Sequence, residues 1–259
     1  LSVNIAVAGK GGSGKTTITS LILRYLLKNG LGPILAVDAD PNANLGESLG
    51  LRVGKTVGSI IAAFNEEKIN IPPGMTKEAY LEVKLNDVIV ESKGLDLVTM
   101  GRGEGVKCYC YPNLILRKFM DRLAENYAYM VLDNEAGMEH LSRRTTQNVD
   151  ELLLISDHSV KGVRTVARLR ELVDELKVVV KRQSVIINMV PKKLDPLVSA
   201  ELSRLGLEPA VIVPLDETVY EYDLALRPLI ELPDDSKAVK AMDDMMTRLL
   251  KTAKVYTKT

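Results

Sequence analysis

The chain has no tryptophan, two phenylalanines and an aromatic share of only 4%, so its core must be aliphatic. That composition suits a parallel sheet covered on both faces, whose strands read as unbroken runs of Val, Ile and Leu. Cysteine is scarce as well, and two residues in 259 cannot build a disulfide framework. Neither sign of charge is in excess, because 34 Lys and Arg stand against 34 Asp and Glu. A binder of bulk nucleic acid carries a basic excess, so only a local basic patch is left open. No apolar run reaches the length of a membrane span, and no charged segment followed by an apolar one marks a secretory leader. A soluble, cytoplasmic protein with neither a membrane nor a nucleic acid as partner is the expectation. With 46% hydrophobic residues, the length allows one large α/β domain over residues 1–259.

Short aliphatic runs alternate with helical patterns, which signals repeated βα units. Val3–Ala8, Pro33–Val37, Leu95–Thr99, Tyr129–Leu132, Glu151–Ile155, Ser184–Met189 and Ala210–Val213 read as strands. Helical spacing covers Thr17–Asn29, Asn113–Glu125, Lys161–Leu176, Pro196–Leu205 and Ser236–Thr252. The fold expected is α/β, a mostly parallel sheet of about seven or eight strands with helices on both faces. Residues 51–94 break the rhythm. Pro72-Pro73-Gly74 and scattered charges predict a loop-rich insertion there, with helical pieces at Val57–Phe64 and Thr76–Leu81. Near the end, Val239, Met242, Met246, Leu249 and Leu250 share one helical face. That stripe predicts a C-terminal helix packed back on the sheet rather than lying on a membrane surface.

Glycine is concentrated where the first strand meets the first helix, in Gly9-Lys10-Gly11-Gly12-Ser13-Gly14-Lys15-Thr16-Thr17. Strand, loop and helix together give G-x-x-x-x-G-K-[ST] its meaning as a phosphate loop. Its glycines let successive N–H groups converge on phosphate oxygens, and the helix N-terminus adds its dipole. In that pattern Lys15 reaches the β- and γ-phosphates and the Thr16 hydroxyl holds Mg²⁺. Gly9, Gly11 and Gly14 also satisfy the dinucleotide fingerprint G-x-G-x-x-G, with Asp38 and Asp40 ending a second strand. Lys-Thr-Thr decides between the two. A dinucleotide needs neither feature, whereas a nucleoside triphosphate needs both the charge and the metal-binding hydroxyl. A single-domain P-loop NTPase is therefore expected.

The second strand ends in Val37-Asp38-Ala39-Asp40-Pro41, and ligands of open α/β sheets bind outside the carboxyl ends of strands. As i and i+2 of an extended segment, Asp38 and Asp40 share a face. One of them then positions or deprotonates the attacking water while the other supports Mg²⁺ through its water shell. Turn formation before Pro41 is the plainer role for Asp40. The fourth strand runs into Asp133-Asn134-Glu135-Ala136-Gly137, which makes Asp133 a second metal-supporting carboxylate. Gly137 is placed to offer a backbone N–H to the γ-phosphate in a segment which that phosphate orders. His140, one of two histidines, reads as a surface or structural residue.

The loop G-K-G-G-x-G-K-T-T resembles the deviant Walker A motif of the MinD, ParA and nitrogenase iron-protein superfamily, whose mark is the extra lysine, here Lys10. The D-x-D-P and D-x-x-A-G strand ends are similar to that superfamily too. The resemblance implies ATP and Mg²⁺ as cofactors and a homodimer formed on ATP binding, with Lys10 reaching the phosphates of the nucleotide in the other subunit. It implies Asp40 as the water-activating carboxylate and Asp38 and Asp133 as supports for Mg²⁺. It also implies adenine recognition at Asn188 and at the backbone of Pro214 and Leu215.

Cys108 and Cys110 lie in a glycine-rich stretch, Gly101 to Pro112. In an extended loop, residues two apart share a face, so both sulfurs can bind one metal; a helix would not allow it. Pro112 suits a first helical position, which puts both thiols just before a helix N-terminus, an environment that favours thiolate. Two sulfurs make half of a tetrahedral site, and a symmetric dimer supplies four. A pair of small buried residues and a redox pair are the alternatives. Glycine and Tyr neighbours oppose the first, and the strained ring that C-x-C closes opposes the second.

A deviant Walker A loop with C-x-C in that place resembles the nickel-insertion accessory ATPases of the CooC/AcsF type, which mature carbon monoxide dehydrogenase or acetyl-CoA synthase. Gly137-Met138-Glu139-His140-Leu141-Ser142-Arg143 is similar to that family's G-x-E-H-L-[ST]-R. Asn134-Glu135 departs from the small or proline residues usual in the superfamily. The resemblance implies Ni²⁺ at Cys108 and Cys110, where soft thiolates also accept Zn²⁺, and a client nickel apo-enzyme as partner. Two rivals remain. A ParA- or MinD-like positioning ATPase is opposed by the neutral charge and the polar tail from Lys254 to Thr259. An iron protein-like electron-transfer ATPase with a dimer-bridging Fe–S cluster is opposed by the closeness of the two cysteines.

Overall fold

A computed structural model describes residues 2–66, 71–102, 110–135, 148–175 and 179–256. Largely apolar segments, with charged residues at the starts of the two longest, form the strands β1 (Val3–Gly9), β2 (Ile34–Asp38), β4 (Leu95–Thr99), β5 (Tyr129–Asp133), β6 (Asn148–Asp157), β7 (Val179–Val190) and β8 (Pro209–Pro214). With β3 (Ile89–Val90) they build an eight-stranded sheet in the order β3-β4-β2-β5-β1-β6-β7-β8. Every pairing is parallel except that of β3 with β4. The helices between them are α1 (Lys15–Lys28), α2 (Leu45–Ser48), α3 (Val57–Glu66), α4 (Lys77–Asn86), α5 (Cys110–Ala124), α6 (Val160–Glu175), α7 (Pro196–Arg204), α8 (Glu217–Leu224) and α9 (Lys237–Tyr256).

Alternate strand residues feed two separate cores, as the period of two requires. Ile5 and Val7 pack with Ile18, Leu21 and Ile22 of α1 and with Met242 and Met246 of α9. Ala6 and Ala8 face the other way, toward Leu116 and Phe119 of α5 and Val163 and Val166 of α6. The apolar stripe of α9 is thus spent on the sheet, and Val239, Met242 and Met246 are buried. Among the described residues no helix is long and apolar enough to cross a membrane.

Several elements differ from the sequence expectation for physical reasons. β6 and β7 run longer than Glu151–Ile155 and Ser184–Met189, because charged residues continue the ladder beyond the apolar stretch. Lys181 pairs with Asp150 at 2.6 Å and Arg182 with Glu151 at 2.9 Å. Two-residue β3 and four-residue α2 are too short to show a period. α8 follows an Asp216 cap, whose side chain accepts from the Thr218 N–H, on a weakly amphipathic sequence. Helix α5 starts at Cys110 instead of Asn113, so Pro112 is its third residue. Proline is tolerated there because first-turn N–H groups have no intrahelical partner to lose.

Candidate active site

β1 delivers its chain end to the middle of the sheet, between β5 and β6. Gly9 passes so close to β6 that a Cβ would press on the Ile155 carbonyl oxygen. The loop then turns on Gly12 and Gly14, whose φ angles of 76° and 84° favour glycine. Ser13 closes it, its hydroxyl donating to the Lys10 carbonyl oxygen at 2.8 Å. Helix α1 begins at Lys15, two residues before the expected Thr17, with Gly14 as an N-cap that lacks any side-chain cap and no acid in the first turn. Its first N–H groups therefore remain available to an anion. Lys15 is buried with Nζ 3.4 Å from the Lys10 carbonyl oxygen. Among the described residues nothing lies within 4 Å of where a Cβ on Gly11 or Gly12 would stand.

Three strand ends bring carboxylates to this edge. Asp133 lies beside Asp38 in the ladder between β5 and β2. The Thr16 hydroxyl donates to Asp133 Oδ2 at 2.6 Å, while Oδ1 is buried without a hydrogen-bond partner among the described residues. A threonine hydroxyl beside an unused carboxylate oxygen is a hard-oxygen donor set that fits Mg²⁺. Asp38 is fully buried; its two oxygens accept the Asp40 and Leu45 N–H groups at 3.1 and 2.9 Å. Asp40 does not stand beside it on an extended face. The chain bends after β2, and Asp40 Oδ1 accepts the Asn42 N–H at 2.8 Å, the turn-forming role set against catalysis above. Asp40 is half-buried.

Asp157 was not singled out from sequence, although it carries the same signal as Asp38 and Asp133, an Asp closing a parallel strand next to the loop. Its Oδ2 lies 3.8 Å from Lys10 Nζ, and the Ser159 N–H donates to its Oδ1 at 3.0 Å. Asn134 is also better placed than its sequence suggested. Its amide nitrogen donates to the Val7 carbonyl oxygen at 2.9 Å, tying the end of β5 to β1.

On the far side of α1, Asn188, Pro214, Leu215, Thr17 and Tyr220 line a cavity of about 180 Å³. Asn188 also donates from Nδ2 to the Ser13 carbonyl oxygen at 3.0 Å. Gly137, His140 and Cys108 fall outside the described residues, and of Cys110 only the backbone is described. Among the described residues no three His, Cys, Asp or Glu side chains cluster as a metal site.

The family of the CobQ/CobB/MinD/ParA nucleotide binding domain matches residues 5–229. The chain belongs to that family. This P-loop ATPase is 43% identical over 248 residues to an uncharacterised ATP-binding protein of Methanocaldococcus jannaschii, covering 95% of this chain and 98% of the other. It is 28% identical over 185 residues to the carbon monoxide dehydrogenase accessory protein CooC of Rhodospirillum rubrum, covering 67% and 70%. In fold it is similar to the septum site-determining protein MinD of Pyrococcus horikoshii, with a TM-score of 0.70, 18% identity and 98% of each chain covered.

The ATPase edge is also electrostatically loaded. Burial pushes the Asp38 carboxyl up to about 7, against the Leu45 N–H bond, and neighbouring Asp133 adds to the rise. Burial likewise pushes Asp133 up to about 6, opposed by the Thr16 hydroxyl and the charge of Lys15. Between the ordinary carboxylate range and these values, the folded chain holds protons that the unfolded chain has released, so nucleotide-free stability falls as pH rises. For Asp133 the cost at about pH 8 is on the order of 3 kcal/mol. Asp133→Asn is therefore expected to raise the thermal midpoint of the nucleotide-free ATPase by several degrees at about pH 8 and to flatten its pH dependence. An unchanged midpoint and slope in calorimetry would contradict a buried, ionised Asp133.

Proposed function

We propose that this single-domain ATPase is a nickel metallochaperone, in which ATP-dependent dimerisation changes metal binding at Cys108 and Cys110. The client is a nickel apo-enzyme, carbon monoxide dehydrogenase or acetyl-CoA synthase. What carries the nickel reading is a coincidence: similarity to the carbon monoxide dehydrogenase accessory protein CooC, in a chain with only two cysteines placed as C-x-C. Two thiolates per subunit, four per symmetric dimer, would suit one tetrahedral or square-planar ion.

In the hydrolytic step, the N–H groups of Gly11 to Thr17 bind the triphosphate and Lys15 neutralises its β- and γ-oxygens. Thr16, with Asp38 and Asp133 behind it, would hold Mg²⁺, which would neutralise charge on those same oxygens. Asp40 orients the attacking water and accepts its proton. Lys10, now 3.8 Å from Asp157, exchanges that carboxylate for the phosphates bound in the second subunit. The cavity at Pro214 and Leu215 takes the adenine. Catalysis is mainly positioning and charge neutralisation.

Joint substitution Cys108→Ala and Cys110→Ala is expected to remove about one Ni²⁺ per dimer and to leave ATP affinity unchanged. Nickel retained at that stoichiometry in the double variant would place the site elsewhere. The second reading, a positioning ATPase, draws on 25% identity to the maintenance of carboxysome distribution protein A of Synechococcus elongatus. It predicts ATP-dependent co-sedimentation with DNA or anionic vesicles, which the metallochaperone does not.

A further inference from the structure

Strand β7 is irregular where Asn188 sits. Its pairing with β8 shifts register between Ile187 and Val190, and Met189 has a φ of 57°. A methionine in the left-handed region is costly and needs a local hold. Asn188 supplies it, accepting the Met189 N–H at its own Oδ1 at 2.9 Å. That arrangement leaves Nδ2 aimed at the phosphate loop, where it donates to the Ser13 carbonyl oxygen at 3.0 Å across the sheet edge. Asn188 is only 4% exposed, so water does not compete for this bond. The fit is tight, because a Cβ on Gly14 would press on Nδ2.

We infer that Asn188 is a positioning residue for the phosphate loop. The peptide unit is planar and trans, so holding the Ser13 carbonyl toward β7 turns the Gly14 N–H, one of the loop's phosphate donors, to the opposite side. The amide makes one bond at each end to the protein, a role distinct from the adenine contact that family resemblance implies for the same residue, for which a second N–H and a second lone pair remain. The same bond joins the wall of the Pro214–Leu215 cavity to the loop, so the two halves of the nucleotide site are set together. This reading rests on the Gly9–Thr17 loop holding the triphosphate.

A ligand without a base separates the two roles. Binding of ATP and of inorganic tripolyphosphate, each with Mg²⁺, is measured on the full chain for the wild type, Asn188→Ser, Asn188→Asp and Lys15→Ala. Asn188→Ser is expected to weaken both ligands by the same factor, about tenfold. Asn188→Asp should do so at about pH 8 and recover toward the wild type measured at the same pH at about pH 5.5, because only a neutral carboxyl donates to the Ser13 carbonyl. Loss of ATP affinity with tripolyphosphate unchanged, in either variant, would make Asn188 a base contact and overturn the inference. So would unchanged affinity for both ligands. Tripolyphosphate bound equally well by Lys15→Ala would instead overturn the assignment of the loop itself, a separate failure.

Discussion

Lys15→Ala is expected to weaken ATP binding by about 100-fold or more and to leave hydrolysis below about a hundredth of the wild-type rate. Lys15 is 7% exposed, and its ammonium lies 3.4 Å from the Lys10 carbonyl oxygen. A bond that long is weak and is readily exchanged for phosphate oxygens of full negative charge. Removing the ammonium takes away charge neutralisation where the transferred group develops it, while the glycine turns at Gly12 and Gly14 and the Ser13 bond to Lys10 stay in place. The nucleotide-free variant should therefore unfold near the wild-type temperature, and the thermal shift that ATP confers should vanish. An ATP affinity within about twofold of wild type would contradict the loop's role.

Asp40→Asn should separate binding from chemistry. The turn that Asp40 makes needs only an acceptor at Oδ1 for the Asn42 N–H, and an asparagine keeps that carbonyl oxygen. The fold and the nucleotide affinity are expected to survive, while the capacity to accept a proton from water is lost. A fall in kcat of about 10²- to 10⁴-fold, with an ATP-loaded dimer that persists on a sizing column, is the expected result. Hydrolysis at the wild-type rate would remove Asp40 from the mechanism. Asp38 allows no such clean test, since both its oxygens hold backbone N–H groups of the loop that carries Asp40.

The parallel sheet was legible because its central strands, such as Val3–Gly9 and Ile34–Asp38, are mostly aliphatic and flanked by helices of clear period. The phosphate loop was legible because three signals coincide at Gly9–Thr17, and Asp38 and Asp133 because they close strands beside it. Other features depend on contacts between distant segments. β6 and β7 lengthen through ion pairs that no local pattern announces. The bond from Asn188 to Ser13 joins residues far apart in the chain, and the bend that separates Asp40 from Asp38 is drawn by an N–H at Leu45. Asp157 could have been found by the strand-end rule that found the other carboxylates. Its pairing with Lys10 could not, because two strand ends must first be placed side by side.

The most direct test of the account is the nickel content of the gel-filtered protein with Mg²⁺ and ATP, measured on Asp40→Asn with and without the paired Cys108→Ala and Cys110→Ala changes. The account predicts a dimer in both cases, carrying about one Ni²⁺ when the cysteines are present and none when they are absent. A dimer that binds no nickel with its cysteines intact, or holds nickel without them, would contradict it.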